Sequence, residues 1–504
     1  MSSPQTSPHT AQSSPAPDPL RWKALIFIGI AQLMVVLDGT VVNIALPHAQ
    51  AALHIPDTNR QWVVTAYSLA FGGLLLFGGR ISDLWGRKRA FITGLAGFAA
   101  ASALGGAAVN EAMLLAARAG QGVFGALLAP AALSLLSVTF TAPKERAKAF
   151  GIYGAIAGAG SAIGLLLGGL LTEYLNWRWV MFINIPFAAV AATGALAFVR
   201  EREPARNRDR LDIPGVLLAT GGVVALVYGF TKAASAGWSA GITLALFALA
   251  AVLLAAFVTV QAKVKSPLLP LRVITDRNRS GAYLALGLAI VGMFGLFFFL
   301  TFYLQDVRGY SPVTTGFAFL PMVAGMITGS TQIAARLLPR IPARLLMGPG
   351  IMLAAAGMLI LTQLSTTSSY ATVTLPGMLL LGTGMGTMFT PAMSLATYGV
   401  QPRDAGVASA MITTSQQIGG SIGTALLSTI AVNTTTGYMT AHHGGPALTA
   451  QGLVHGYTTA IGWAAAIMTV ASVVAFTLIN ARSDAFALKT GAATDQDAVP
   501  AAAH

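Results

Sequence analysis

Apolar residues run along this chain in blocks of about twenty, cut by short polar or charged links. Fourteen blocks can be marked, at about 24–46, 60–79, 90–109, 111–138, 147–172, 179–199, 212–231, 240–262, 280–304, 315–336, 344–363, 372–398, 405–431 and 455–481. At about 1.5 Å of rise per residue, a helix of roughly twenty residues crosses the hydrocarbon core of a bilayer. A membrane β-strand would instead show about ten residues in strict alternation. The pattern predicts an all-α polytopic membrane protein with 14 transmembrane helices.

The charges between the blocks predict its orientation. With the N-terminus inside, the cytoplasmic segments hold 25 of the 30 Lys and Arg residues. The outer segments hold four, Arg60, Arg178, Lys232 and Arg308, and Arg118 alone lies within a span. Basic residues stay preferentially on the cytoplasmic side, so both termini are expected there. The most charged link, REREPARNRDRL at 200–211, follows the sixth block, and a second basic link at 263–279 follows the eighth. The simplest organisation is an N-terminal six-helix half over 24–199, two extra central helices over 212–262, and a C-terminal six-helix half over 280–481. Two such halves would enclose a cavity at their interface. Residues 1–20, rich in Ser and Pro, are expected to be a disordered tail, and 482–504 a cytoplasmic one. No short apolar region followed by a small-residue cleavage site precedes the first span, which should act as its own insertion signal.

Composition agrees: 55% of the 504 residues are hydrophobic and 9% charged, against about 25% charged in soluble domains. There is no cysteine, which excludes disulfides, thiol catalysis and thiolate metal sites. The net charge of +13 is accounted for by the cytoplasmic links without nucleic acid.

Against this apolar background a few residues stand out. Asp38 interrupts LIFIGIAQLMVVLDGTVVNIALP (Leu25–Pro47). An acid near mid-span costs roughly 2.5–3.5 kcal/mol on insertion scales, so it marks either a functional site or a structural acid locked to a base. Spacing puts Asp38 about 12 Å below the outer end of its helix, and Arg118 about 10 Å below the outer end of the fourth. The two can face each other if these spans adjoin, as a proton-coupling pair or as a salt bridge that glues helices. Between the second and third spans lies GRISDLWGRKR (79–89). Gly79 and Gly86 permit a tight turn, and Asp83 and Arg87 stand four apart, a helical ion-pair spacing. This is a topogenic basic loop or a charged latch. In the fifth span Gly160, Gly164 and Gly168, followed by Gly169, make a small face every fourth residue that permits close helix contact.

The loop at 79–89 resembles the signature loop of the major facilitator superfamily, in which it contacts the opposite half and gates the inward opening. The resemblance implies that role for Gly79, Asp83, Gly86, Arg87 and Lys88. LDGTVVNIALP (37–47) is similar to the first-span motif of that superfamily's fourteen-span drug:proton antiporter branch. There the acid and the following polar residues serve proton coupling, which here would be Asp38 supported by Thr40 and Asn43. LLAARAGQGVFGA (114–126) resembles the fourth-span motif, implying proton transfer by Arg118 with Gln121 nearby. GSAIGLLLGG (160–169) resembles the exporters' antiporter motif with one departure: Leu165 stands where the family usually has Pro, so the kink a proline produces is not encoded. NWRWVMFINIP (176–186), YLQDVRGYSPVTTGFAFLP (303–321) and GTGMGTMFTP (382–391) also look like this branch.

In the thirteenth span Thr413, Gln416 and Gln417 form a polar patch, either a substrate-cavity wall or a set of helix–helix hydrogen bonds. Tyr67 is a candidate aromatic for the same cavity, whereas Trp62 reads as an interfacial anchor. Met326, Met385, Met388, Met393 and Met411 suit an adaptable pocket or ordinary packing. His442, His443 and His455 lack the spacing of a metal site. No GxxxxGK[ST] sequence occurs, so the chain carries no Walker-type ATP site, and no cofactor is expected. The resemblance implies exchange of protons for a small amphiphilic drug or antibiotic across the cell membrane. An uptake symporter on the same fold and a non-transporting receptor are the alternatives. No nucleophile–base set supports an enzyme.

Overall fold

The computed structural model describes residues 20–140, 143–199, 212–264, 266–398, 400, 404–443 and 445–481; the two tails and the whole charged link at 200–211 lie outside them. All regular structure among the described residues is helical. In chain order the long helices are α1 (Arg21–Leu53), α2 (Trp62–Trp85), α3 (Arg87–Gly106), α4 (Glu111–Thr139), α5 (Pro143–Tyr174), α6 (Trp179–Phe198) and α7 (Ile213–Ala236). They continue with α8 (Gly241–Lys263), α9 (Arg277–Val307), α10 (Pro312–Leu337), α11 (Arg344–Leu361), α12 (Tyr370–Ala396), α13 (Ala405–Ala441) and α14 (Pro446–Leu478). Among the described residues eleven helices are long and apolar enough to cross a membrane; α5 contributes a shorter apolar stretch, Ala159–Tyr174, and α3 and α13 are not among the eleven. The reason for these two is visible in their sequences: α3 opens on Arg87, Lys88 and Arg89, and α13 carries the Thr–Gln patch. The chain is a multi-pass membrane protein.

Helix ends follow local chemistry more than hydropathy. The side chains of Asn110, Asp276 and Ser311 accept hydrogen bonds from the amides of Met113, Arg279 and Thr314 and so cap α4, α9 and α10, satisfying donors that a helix start leaves unpaired. α1, α13 and α14 extend several residues beyond the apolar runs. Gly86 alone joins α2 to α3, at φ 107°, a conformation that a side chain disfavours.

Helix pairing repeats along the chain. In the first half α1 packs on α5 and α6, and α4 on α2 and α3, with α3 also against α6. In the last six helices α9 packs on α13 and α14, and α12 on α10 and α11, with α11 also against α14. The halves meet where α2 packs on α13 and α5 on α10. Even the ion-pair ties at the helix starts correspond. Arg21 forks onto Glu145 at 2.8 and 2.9 Å, joining the starts of α1 and α5. Arg272 forks onto Asp404 at 2.7 and 2.8 Å, joining the turn before α9 to the start of α13. Hydrogen bonding from Arg21 holds the Glu145 carboxyl below its ordinary value. That tie therefore contributes above the unfolded-chain carboxylate range and is lost as pH falls through the lowered value.

The two extra helices form their own pair. Only α7 is wedged into the body: Thr220 donates to the Gly73 carbonyl on α2 at 3.0 Å, and Thr429 on α13 donates to the Phe230 carbonyl at 2.8 Å. α8 buries only Thr243, Ala250 and Gln261 and turns its remaining apolar surface to lipid.

Glycines set the closest approaches. A Cβ on Gly122 of α4 would meet the Tyr67 carbonyl, the Ala70 Cβ at 2.8 Å and the Phe71 amide nitrogen at 3.0 Å, all on α2. Overpacking of a tight contact costs about 1–3 kcal/mol. Gly122→Val should therefore lower the thermal midpoint of the detergent-solubilised protein by several degrees, whereas Gly437→Val, at a site with nothing within 4 Å, should not. Equal midpoints would contradict the packing described.

Candidate functional site

Asp38 and Arg118 meet. Arg118 Nη1 donates to Asp38 Oδ2 at 2.6 Å, and the two residues are 1% exposed or less. Two more donors converge on the other carboxylate oxygen: Gln121 Nε2 and Asn184 Nδ2, each 2.8 Å from Asp38 Oδ1. Both amides also reach Ser102 Oγ, at 2.8 and 3.3 Å. Arg118 is fixed in turn by Gln121 Oε1 at 2.7 Å and by the Val63 carbonyl, which accepts from Nε at 2.9 Å. The Tyr67 ring lies 4.5 Å from the guanidinium carbon. Five helices of the first half, α1, α2, α3, α4 and α6, thus contribute to one polar knot.

The local sequence explains why the knot can form. Arg118 and Gln121 stand one turn apart on α4 and so share a face. Gly122 beside them lets α2 approach closely enough for the Val63 carbonyl and the Tyr67 ring to reach the guanidinium. Hydrogen bonds to charged groups are shorter and about twice as strong as neutral ones, which suits a carboxylate taken wholly out of water. The arrangement can hold Asp38 as an anion with three donors.

Ser102 and Asn184 were not singled out from the sequence. Asn184 lies within the quoted NWRWVMFINIP stretch, and an amide in so apolar a run was the available signal. The Asn184 Oδ1 atom is buried with no hydrogen-bond partner, while its amide nitrogen donates to Asp38 and Ser102.

Other predicted positions fall elsewhere. Thr40 donates to its own helix at Val36 and Leu37, and Asn43 to Gly39, so neither touches Asp38. Thr40 instead sits against Gly164, where a Cβ would clash with its hydroxyl. Gly160 and Gly168 likewise press on α1, at Leu33 and Val36 and at Val41, while Gly169 faces Pro312 and Val313 of α10. With Leu165 in place of proline, α5 runs as one helix from Pro143 to Tyr174, and the Leu165 carbonyl fits against Gly316.

In the signature loop, Lys88 Nζ donates to the Leu196 and Val199 carbonyls at 3.0 and 2.7 Å. It thereby caps the end of α6 in its own half, where the helix dipole favours a cation. Gly79 lies against Pro130 of α4 and Arg87 is half-buried. The Asp83 side chain lies outside the described residues.

On α13 Thr413, Gln416 and Gln417 are half-buried, and the Gln417 Cβ fills the space over Gly72 of α2, at the junction of the halves. Met385 and Met388 are buried whereas Met393 is exposed. His442 and His455 pack on Tyr438.

A helical membrane protein of two similarly paired halves, with a buried acid–base knot in the first, has the build of a secondary transporter. The chain belongs to the major facilitator superfamily, whose pattern matches residues 28–424. It is 51% identical to the puromycin resistance protein pur8 of Streptomyces alboniger, over 96% of both chains. It is 38% identical to the cephamycin export protein CmcT of Amycolatopsis lactamdurans, over 82% of this chain and 86% of that one. Among solved structures it resembles the POT family transporter PepTSo, with a TM-score of 0.66 at 16% identity over 91% of this chain and 97% of that one. This last likeness concerns the fold alone.

Removing one partner of a buried ion pair costs about 3–5 kcal/mol, because the other charge is stranded. Arg118→Leu should therefore destabilise the protein strongly, and Asp38→Asn introduced alongside it should recover part of the loss. Thermal unfolding of the four members of this cycle checks the coupling. Additive losses would contradict the pairing.

Proposed function

We propose that the protein is a proton-coupled antiporter that exports antibiotics across the cell membrane, with Asp38 as the proton-carrying group. The observation that carries the reading is the carboxylate–guanidinium contact at 2.6 Å in a fully buried setting. A proton arriving from outside would neutralise Asp38 and release Arg118 from it. The freed guanidinium would then need another acceptor, and the five helices that surround it would readjust. Loss of the proton to the cytoplasm would restore the knot and ready the transporter for cargo. One charge moved through 100 mV gains about 2.3 kcal/mol, a sufficient drive.

Export as the direction is supported by the antibiotic resistance and export proteins among the relatives. The extent of the match to a puromycin resistance protein makes puromycin the first compound to test. Both termini face the cytoplasm in this reading, as the distribution of Lys and Arg supports. The cargo crosses unchanged, without enzymatic chemistry, and lipid is the surrounding solvent.

Cells lacking other exporters should survive puromycin and related antibiotics when they produce the protein and not when they produce Asp38→Asn. A fluorescent cation should accumulate less in the producing cells, and a protonophore should abolish the difference. Equal resistance with wild type and Asp38→Asn would remove Asp38 from the mechanism. Higher accumulation in producing cells would mean uptake, and unchanged accumulation together with unchanged resistance would mean no transport.

A further inference from the structure

Among the described residues two bases are buried, Arg118 and Arg60, and the second takes no part in the knot around Asp38. Arg60 belongs to the outer turn between α1 and α2. The amides of Asn59 and Arg60 both donate to the Pro56 carbonyl, at 2.9 and 3.1 Å, which folds the turn and fixes the residue's backbone to the first half. Its side chain lies in the second half. The guanidinium carbon is 3.9 Å from the ring centre of Phe302 and 5.4 Å from that of Phe298, both on α9. It is 5.9 Å from the ring of Tyr457 on α14, whose hydroxyl accepts from Nη2 at 3.2 Å.

The rings brace one another: Phe298 lies 5.1 Å from Phe302, and Phe299 stacks on Tyr457 at 5.5 Å. Arg60 is 5% exposed. The carboxylate paired with it, Asp57 at 3.4 Å, comes from its own turn and is 62% exposed, so it moves with Arg60 and is well hydrated. What distinguishes the closed arrangement is therefore what the second half supplies: the aromatic cage, since a desolvated guanidinium is attracted to the faces of such rings, and the charge of Asp306 on α9, which acts on Arg60 across the boundary.

The same boundary holds two further ties. Gln305 Nε2, on the π-helical turn that ends α9 (Tyr303–Val307), donates to the Ile44 carbonyl of α1 at 2.9 Å. The amide of Val313, at the start of α10, donates to Glu173 of α5 at 2.9 Å. Every one of these contacts joins the outer ends of the two halves. Separating those ends would draw Arg60 out of its cage.

We infer that Arg60, seated in the Phe298–Phe302–Tyr457 cage, is the outer latch of the transporter and sets how often its external side opens. The inference rests on the transporter reading above, but its test needs neither an antibiotic nor a proton gradient.

The chain has no cysteine, so Ile44→Cys creates a single thiol at a fully buried site on the outer boundary. Its labelling by a membrane-impermeant maleimide added outside intact cells reports opening. Adding Arg60→Ala should speed labelling about ten-fold, the scale set by a desolvated cation–π contact. Arg60→Lys, which keeps a cation, should fall between. Should Arg60→Ala reach the membrane poorly, Phe302→Leu carries the same expectation, because it empties the nearest wall of the cage. An unchanged labelling rate in a properly inserted Arg60→Ala or Phe302→Leu protein would overturn the latch and leave the export reading standing. Loss of resistance in Asp38→Asn, or its retention, bears on export alone.

Discussion

The structure depends on taking a carboxylate and a guanidinium out of water together. Each ion alone would carry an effective penalty of several kcal/mol in the protein interior. The 2.6 Å contact between Asp38 and Arg118 offsets part of that, and amides from two helices occupy the second oxygen of the acid. This makes the first half a single electrostatic object. α1, α3, α4 and α6 each supply a side chain to the knot, and α2 supplies a carbonyl and a ring. Any change at the Asp38–Arg118 contact would therefore act on five helices at once, as the proposed coupling requires.

Small residues make this possible. Gly122 brings α2 against α4, and Gly160, Gly164 and Gly168 bring α5 against α1. In lipid, where apolar burial does little to drive helix together with helix, such close backbone approach and the hydrogen bonds it allows supply much of the association. Gly169 and Gly316 extend the same principle across the junction of the halves. The glycine pattern of the fifth span thus contributes both to the helix that carries Asp38, by seating α1, and to the junction of the halves.

Much of this was legible in the chain. A charge inside twenty apolar residues is conspicuous, so Asp38 and Arg118 could be matched by estimated depth on condition that their spans adjoin, and Gln121 came with the resemblance of the fourth span. Ser102 and Asn184 could not be placed in the same way. Each is a single small polar group, and only the packing of α3 and α6 brings it within reach of the network. Thr40 and Asn43 follow Asp38 closely in sequence, but two and five residues along a helix rotate them well off its face, and their side chains bond to their own backbone. Arg60 was countable as one of four outer bases. Its aromatic surroundings come from residues about 240 to 400 positions away and have no local signature. The matched pairing of helices in the two halves, down to the Arg21–Glu145 and Arg272–Asp404 forks, is likewise a property of tertiary packing.

The central claim is that Asp38 carries the proton exchanged for cargo. The direct measurement uses purified protein in liposomes with a pH-sensitive dye inside, no imposed proton gradient, and puromycin added on one side. Wild type should move protons opposite to the antibiotic, and Asp38→Asn should move none while still binding the compound. Proton movement of equal size through Asp38→Asn would contradict the account.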